Sequence, residues 1–246
     1  VELDKIYQED CLDTLAKIPD NFVNLVVTSP PYNKNKWIRN RSHHSKDSGA
    51  LRVIQYDSYE DSREKEDYIN WQKKIINECL RILKPDGSMF YNHIDILSEL
   101  NTIHPSYIYD FPLKQTIIWD RSNTPKLDKS YFYPITEYIF WLKKDKDSKP
   151  KFDRRNCFFQ KCVWRFGADT QNNHPAPFPV KLASNCILSC TDEGDIVYDP
   201  FMGSGTTAVS CVLHNRKFIG SEISEEYVKV AEKRLKVHQN QTKLSF

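Results

Sequence analysis

Apolar and polar positions alternate between two periods along this chain. "NFVNLVV" ends in a continuous apolar run, the pattern of a strand buried on both faces. "EDYINWQKKIINECLRILKP" repeats at helical spacing, with Tyr68, Ile75, Ile76, Cys79, Leu80 and Leu83 on one face. Pro85 and Gly87 end that helix, and "SMFYNH" follows as a strand. A helix closed this way and followed by a strand is one crossover of a doubly wound sheet. "KIYQED" reads as a short strand and "CLDTLAKI" as a short helix. "QTIIWD" and "TEYIFWLKK" read as an antiparallel strand pair. Towards the C-terminus come the helix "KLASNCILSC", the buried strand "DIVYD", the helix "GTTAVSCVLHN", the strand "KFIGSEI" and the helix "SEEYVKVAEKRLKVHQ". Ser224 is placed to cap that last helix, with Glu225 and Glu226 suited to its first turn. Two stretches, 34–60 and 143–172, have little periodicity and read as a long loop and an insertion.

The expected architecture is α/β, a mostly parallel doubly wound sheet with one antiparallel strand pair. A chain of 246 residues, 39% hydrophobic, suits one such domain with a small insertion. Its parts are a first half over 1–142, the insertion 143–172 and a second half over 173–246. Seven cysteines, with no Cys-x-x-Cys pair and no zinc-type spacing, read as reduced thiols and not as metal ligands. No apolar run reaches membrane-spanning length and "VELDKIYQED" lacks a signal-peptide pattern, so a cytoplasmic location is expected. Net charge is only +2, but its distribution is uneven. Residues 34–52 carry six Lys/Arg against one acid, and residues 121–165 carry twelve against five. Both stretches interleave aromatic residues, a pattern suited to a nucleic-acid partner as well as to solvated loops.

Two motifs carry the candidate chemistry. "TSPPYN", residues 28–33, ends the apolar strand in a hydroxyl, two prolines and a ring. Prolines end the ladder and stiffen the corner, which makes a rigid mount for Ser29, Pro30, Pro31 and Tyr32. "DIVYDPFMGSGTTAVSCVL", residues 195–213, is strand, glycine turn, helix. It lacks the lysine of a P-loop. Ala208 is tolerated where a dinucleotide turn has its third glycine, so the glycines alone leave a dinucleotide open. Glu222, ending the next strand, is placed to accept ribose hydroxyls. Asp199 before the turn would repel a pyrophosphate and suits an amino group, which favours S-adenosylmethionine; the same side chain could instead cap the turn.

Together "TSPPY" and "DPFMGSGTT" resemble the DNA amino-methyltransferases, which methylate exocyclic nitrogens of cytosine or adenine. The catalytic motif precedes the cofactor motif, as in the circularly permuted β-class, and the resemblance covers 5–33, 66–93 and 174–236. It implies a Rossmann-like methyltransferase fold, S-adenosylmethionine as cofactor, double-stranded DNA as substrate and a flipped target base. Ser29 and the Pro30 carbonyl would accept from the target amine, and Tyr32 would stack on the base. The family's cofactor segments match "YQEDCL" (Asp10, Cys11), Thr28, and "HPAPFP" (Pro177, Phe178). They also match Asp199, Pro200, Phe201, Gly203, Ser204, Gly205, Thr206 and Thr207 of the turn, and Glu222 with Ile223. Cys11 fits equally as a core residue. Serine at position 29 tends in this family to accompany cytosine N4, so N4-methylcytosine is the expected product, with adenine N6 or a protein or RNA acceptor as alternatives. DNA contacts are expected from Lys34, Lys36, Arg39 and Arg41 in the first loop and Arg154 and Arg155 in the insertion. A homodimer and a cognate restriction endonuclease in a bacterial system are compatible partners.

Overall fold

The computed structural model describes residues 1–33, 63–97, 102–122, 132–167 and 179–243. Ten strands are present among them: β1 (Lys5–Tyr7), β2 (Val23–Thr28), β3 (Leu83–His93), β4 (Ile96–Leu97), β5 (Thr102–Ile103), β6 (Leu113–Asp120), β7 (Thr136–Lys143), β8 (Val163–Arg165), β9 (Ile196–Asp199) and β10 (Lys217–Ser221). The helices are α1 (Cys11–Lys17), α2 (Lys65–Ile82), α3 (Val180–Cys190), α4 (Thr206–Leu213) and α5 (Glu225–Lys243). Eight strands form one sheet in the order β1-β10-β9-β2-β3-β7-β6-β8, while β4 and β5 make a small separate ribbon. The five strands from β1 to β3 run parallel; β7 is antiparallel to both β3 and β6. The expected α/β architecture with an antiparallel pair is therefore the observed one.

Helices cover both faces, which explains the unbroken apolar runs in the central strands. Leu25, Val27, Phe90, Ile139 and Trp141 face α3, α4 and Leu235 of α5. Val26, Met89, Tyr91, Phe140 and Leu142 face α1 and α2. Successive residues of a strand thus feed opposite cores, as the pleat requires. Helix α2 stops at Ile82 and passes directly into β3, because Leu83 is already extended. Lys144, just after β7, closes that end: its Nζ donates to the carbonyls of Leu80, Arg81 and Leu83.

The basic stretch 143–172 is not a unit apart from the sheet. Its residues 163–165 are β8, which pairs with β6 as the edge strand and buries Trp164. All seven cysteines are unpaired, five of them buried. Among the described residues no helix is long and apolar enough to cross a membrane.

Candidate active site

The strand order reverses between β9 and β2, which pair through Leu25–Val197 and Val26–Tyr198. In a doubly wound sheet, the crevice beyond the carboxyl ends of such a pair is where ligands bind. β2 leaves into the Ser29–Asn33 corner, and β9 leaves into the glycine turn. A hydrogen bond joins the two motifs: Thr28 Oγ1 donates to Asp199 Oδ1 at 2.8 Å, across 171 positions of sequence.

Asp199 is 1% exposed, and three internal donors hold it. Besides Thr28, the Phe201 amide reaches Oδ1 at 3.0 Å and the Thr207 hydroxyl reaches Oδ2 at 2.6 Å. Burial raises its pKa to about 6 against the opposing pull of those three hydrogen bonds. The sequence left open whether this carboxylate faces a ligand amino group or caps the turn. In the structure it ties the turn to β2 and α4.

The turn itself needs glycine at two places. Gly203 has φ 53° and donates its amide to Glu222 Oε2 at 2.8 Å. Gly205 has φ 84° and precedes the first turn of α4; a Cβ there would lie 2.7 Å from that of Ala231 on α5. Arg234 of α5 braces the turn, donating to the Ser204 carbonyl at 2.6 Å and to the Ser204 hydroxyl at 2.9 Å. Ser204, Thr206 and Thr207 are all buried, so their side chains serve the turn. Phe201 packs edge-on against Trp71 of α2, ring centroids 5.6 Å apart.

Glu222 follows β10 and Asp10 follows β1, its neighbour in the sheet. Each Glu222 oxygen takes one backbone amide, from Gly203 and from Ser224 at 2.9 Å, which leaves each with further accepting capacity. Burial raises the Glu222 pKa. Asp10 caps α1 by accepting from the Leu12 amide at 2.8 Å. Ile223, beside Glu222, is exposed at the rim. Cys11 is 4% exposed and packs beneath Tyr198, with burial pushing its thiol pKa up; its side chain is core, the second of the two readings the sequence allowed. The acceptors Asp10 and Glu222 at the rim, the buried carboxyl of Asp199 beneath them and the absence of lysine from the turn fit a phosphate-free nucleoside carrying an amino group.

At the proline corner, Tyr68 of α2 donates to the Pro31 carbonyl at 2.9 Å and also meets His93 Nε2 at 2.9 Å. Asn33, at φ 56°, pairs both ends of its side-chain amide with the Arg63 backbone at 2.7 and 2.8 Å. Ser29 Oγ lies 2.6 Å from the Tyr32 hydroxyl. Tyr32 is 8% exposed and its ring centroid is 5.0 Å from that of His93, so stacking on a base would require the ring to be uncovered. Behind Tyr32 sit Asn92 at the end of β3 and Glu137 at the start of β7, both buried. Asn92 Nδ2 is 2.7 Å from the Tyr32 hydroxyl and 2.7 Å from Glu137 Oε2. Arg121 Nη1 pairs with Glu137 Oε1 at 3.0 Å.

The sequence marked Tyr68 only as part of a helix face and did not mark Asn92, Arg121 or Glu137 at all. The available signal was an acid and an amide at the ends of otherwise apolar strands, "TEYIFW" and "SMFYNH". Conversely, Arg154 and Arg155 are not near the corner. Asp153 donates its amide to Ser189 near the end of α3, and Lys151 donates its amide to Asp86 early in β3. Both anchors lie at the amino end of the sheet, so the segment carrying the two arginines lies at the end opposite the crevice; Arg155 pairs with Asp153. Lys34, Lys36, Arg39, Arg41, Pro177 and Phe178 lie outside the described residues.

A doubly wound sheet with a glycine turn and an acidic rim at its switch point defines a nucleoside-cofactor enzyme of the methyltransferase type. The DNA methylase family profile matches residues 23–233, and the chain belongs to that family. It is 31% identical to the type II methyltransferase M.BglII of Bacillus subtilis, over 93% of this chain and 68% of that one. It is 28% identical to the DNA adenine methyltransferase YhdJ of Escherichia coli K12, over 96% of this chain and 84% of that one. Among solved structures, the PvuII DNA methyltransferase, described as cytosine-N4-specific, shares the fold with a TM-score of 0.72 at 21% identity, covering 96% and 91% of the two chains.

Proposed function

We propose that this DNA methyltransferase transfers a methyl group from S-adenosylmethionine to the exocyclic N4 of cytosine within a specific DNA sequence. One observation carries the reading: Ser29 sits at the carboxyl end of β2, one residue from the Thr28–Asp199 bond that joins the corner to the glycine turn. A hydroxyl acceptor and the cofactor turn thus open onto one crevice. When bound there, the cofactor supplies an activated sulfonium methyl. What remains for the protein is to align the acceptor amine and make its lone pair available.

An aromatic amine is a poor nucleophile because its lone pair is delocalised into the ring. Ser29 Oγ and the Pro30 carbonyl accept its N–H groups, which favours a pyramidal nitrogen and stabilises the charge that develops. The prolines fix the direction of that carbonyl, and Tyr68 anchors the next one along. Glu222 receives the ribose hydroxyls, and Ile223 covers the adenine. Asp199 acts through the turn it holds. The base reaches this crevice only after leaving the duplex.

Adenine N6 is the second reading, favoured by the similarity to YhdJ. Incubation with methyl-labelled S-adenosylmethionine and DNA of mixed sequence, followed by nucleoside analysis, separates the two. Label in N4-methylcytosine is expected; label in N6-methyladenine overturns the choice of base.

A further inference from the structure

Two hydroxyls 2.6 Å apart, those of Ser29 and Tyr32, can share their hydrogens in either of two directions. If Tyr32 donates to Ser29, one Ser29 lone pair is filled and the serine hydrogen points outward, towards an incoming amine. If Ser29 donates to Tyr32, its oxygen presents lone pairs outward. The second arrangement is the better acceptor of an amine N–H, because Tyr32 then fills no Ser29 lone pair and the serine hydrogen is turned inward. We propose that Glu137 is the positioning residue that selects it; this rests on the proposed role of Ser29.

Glu137 is 8% exposed, and as a carboxylate it accepts hydrogen bonds only. Its Oε2 lies 3.4 Å from the Tyr32 hydroxyl, a separation that is long and that typically tightens once an active site is filled. Asn92 Nδ2 is 2.7 Å from both the tyrosine oxygen and Oε2 and 3.4 Å from Ser29 Oγ; its two hydrogens serve the two nearer partners, so the Tyr32 oxygen already has a donor on that side. The tyrosine hydrogen is thereby drawn to the carboxylate, and the serine hydrogen is drawn to the tyrosine. Arg121 holds the other carboxylate oxygen at 3.0 Å and so fixes the orientation of the group. Buried hydrogen-bond chains polarise in one direction, because each donor strengthens the next. The polarity of the Ser29 acceptor is therefore set from β7, 108 positions away in sequence.

The test is methyl transfer by Glu137→Gln, which keeps the shape and removes the charge. A fall in kcat of about 10- to 100-fold is expected, with KM for DNA and cofactor within about 2-fold of wild type, because the group acts on the transition state and not on binding. Tyr32→Phe is expected to give a similar loss. The double variant is expected to lose no more than either single variant, since both break one chain. If Glu137→Gln melts well below wild type, Tyr32→Phe and its KM-against-kcat split carry the test. Full kcat in Glu137→Gln overturns the inference while leaving the DNA methylation reading intact, and so does an undiminished extra loss in the Tyr32→Phe background. Absence of transfer to any DNA by the wild-type protein overturns the functional reading and this inference with it.

Discussion

Ser29 and Asp199 carry the sharpest consequences of the site. Ser29→Ala removes the proposed acceptor for the target amine, which in the transition state is worth about 100-fold in kcat. Calorimetry should show S-adenosylmethionine affinity within about 2-fold of wild type. Equal loss of turnover and cofactor affinity would assign Ser29 to the cofactor site. Asp199 links pH to stability. Its folded pKa of about 6 lies above the ordinary 3.8, so between these values the folded protein holds a proton that the unfolded chain has released. The associated stabilisation is fully present below the unfolded pKa and is lost as pH rises through about 6, roughly 3 kcal/mol over the window. Asp199→Asn should remove this slope from denaturant midpoints measured between pH 4 and 7. An unchanged slope would place the proton elsewhere.

The glycine turn and the helices around it form one packed unit. Gly205 satisfies two demands together: a left-handed backbone, and the close approach of α4 to α5. Gly205→Ala adds a methyl that meets Ala231 and strains φ, so a loss of about 2–4 kcal/mol is expected by chemical denaturation, with weaker cofactor binding. Wild-type stability in that variant would show that α5 moves freely away from α4. The same unit explains why "GSGTT" was legible in the sequence while its partners were not. The turn residues announce themselves by type, but Arg234, which braces Ser204, is one arginine among many on a helix.

For the protein as one body, the placement of charge differs from its distribution in sequence. The basic stretch after β7 runs along the amino end of the sheet before β8 returns to the carboxyl end. Arg154→Ala with Arg155→Ala should leave DNA affinity within about 2-fold and the salt slope unchanged. A slope reduced by about two would restore those arginines as phosphate contacts. At the carboxyl end, Phe132 is 99% exposed and Tyr133 is also exposed, just before β7 and on the side of the crevice.

Local patterns fixed much of this fold from the chain alone. Period-two and helical spacing marked the strands and helices, two prolines marked the rigid corner, and two glycines marked the turn, because each of these encodes a local backbone preference or a buried face. The order of strands in the sheet settled the rest. It brought Thr28 to Asp199, set Glu137 behind Tyr32, and put the segment carrying Arg154 and Arg155 at the opposite end of the sheet from the crevice. Such pairings join residues far apart in the chain, and nothing in their immediate neighbours records which strand will lie alongside.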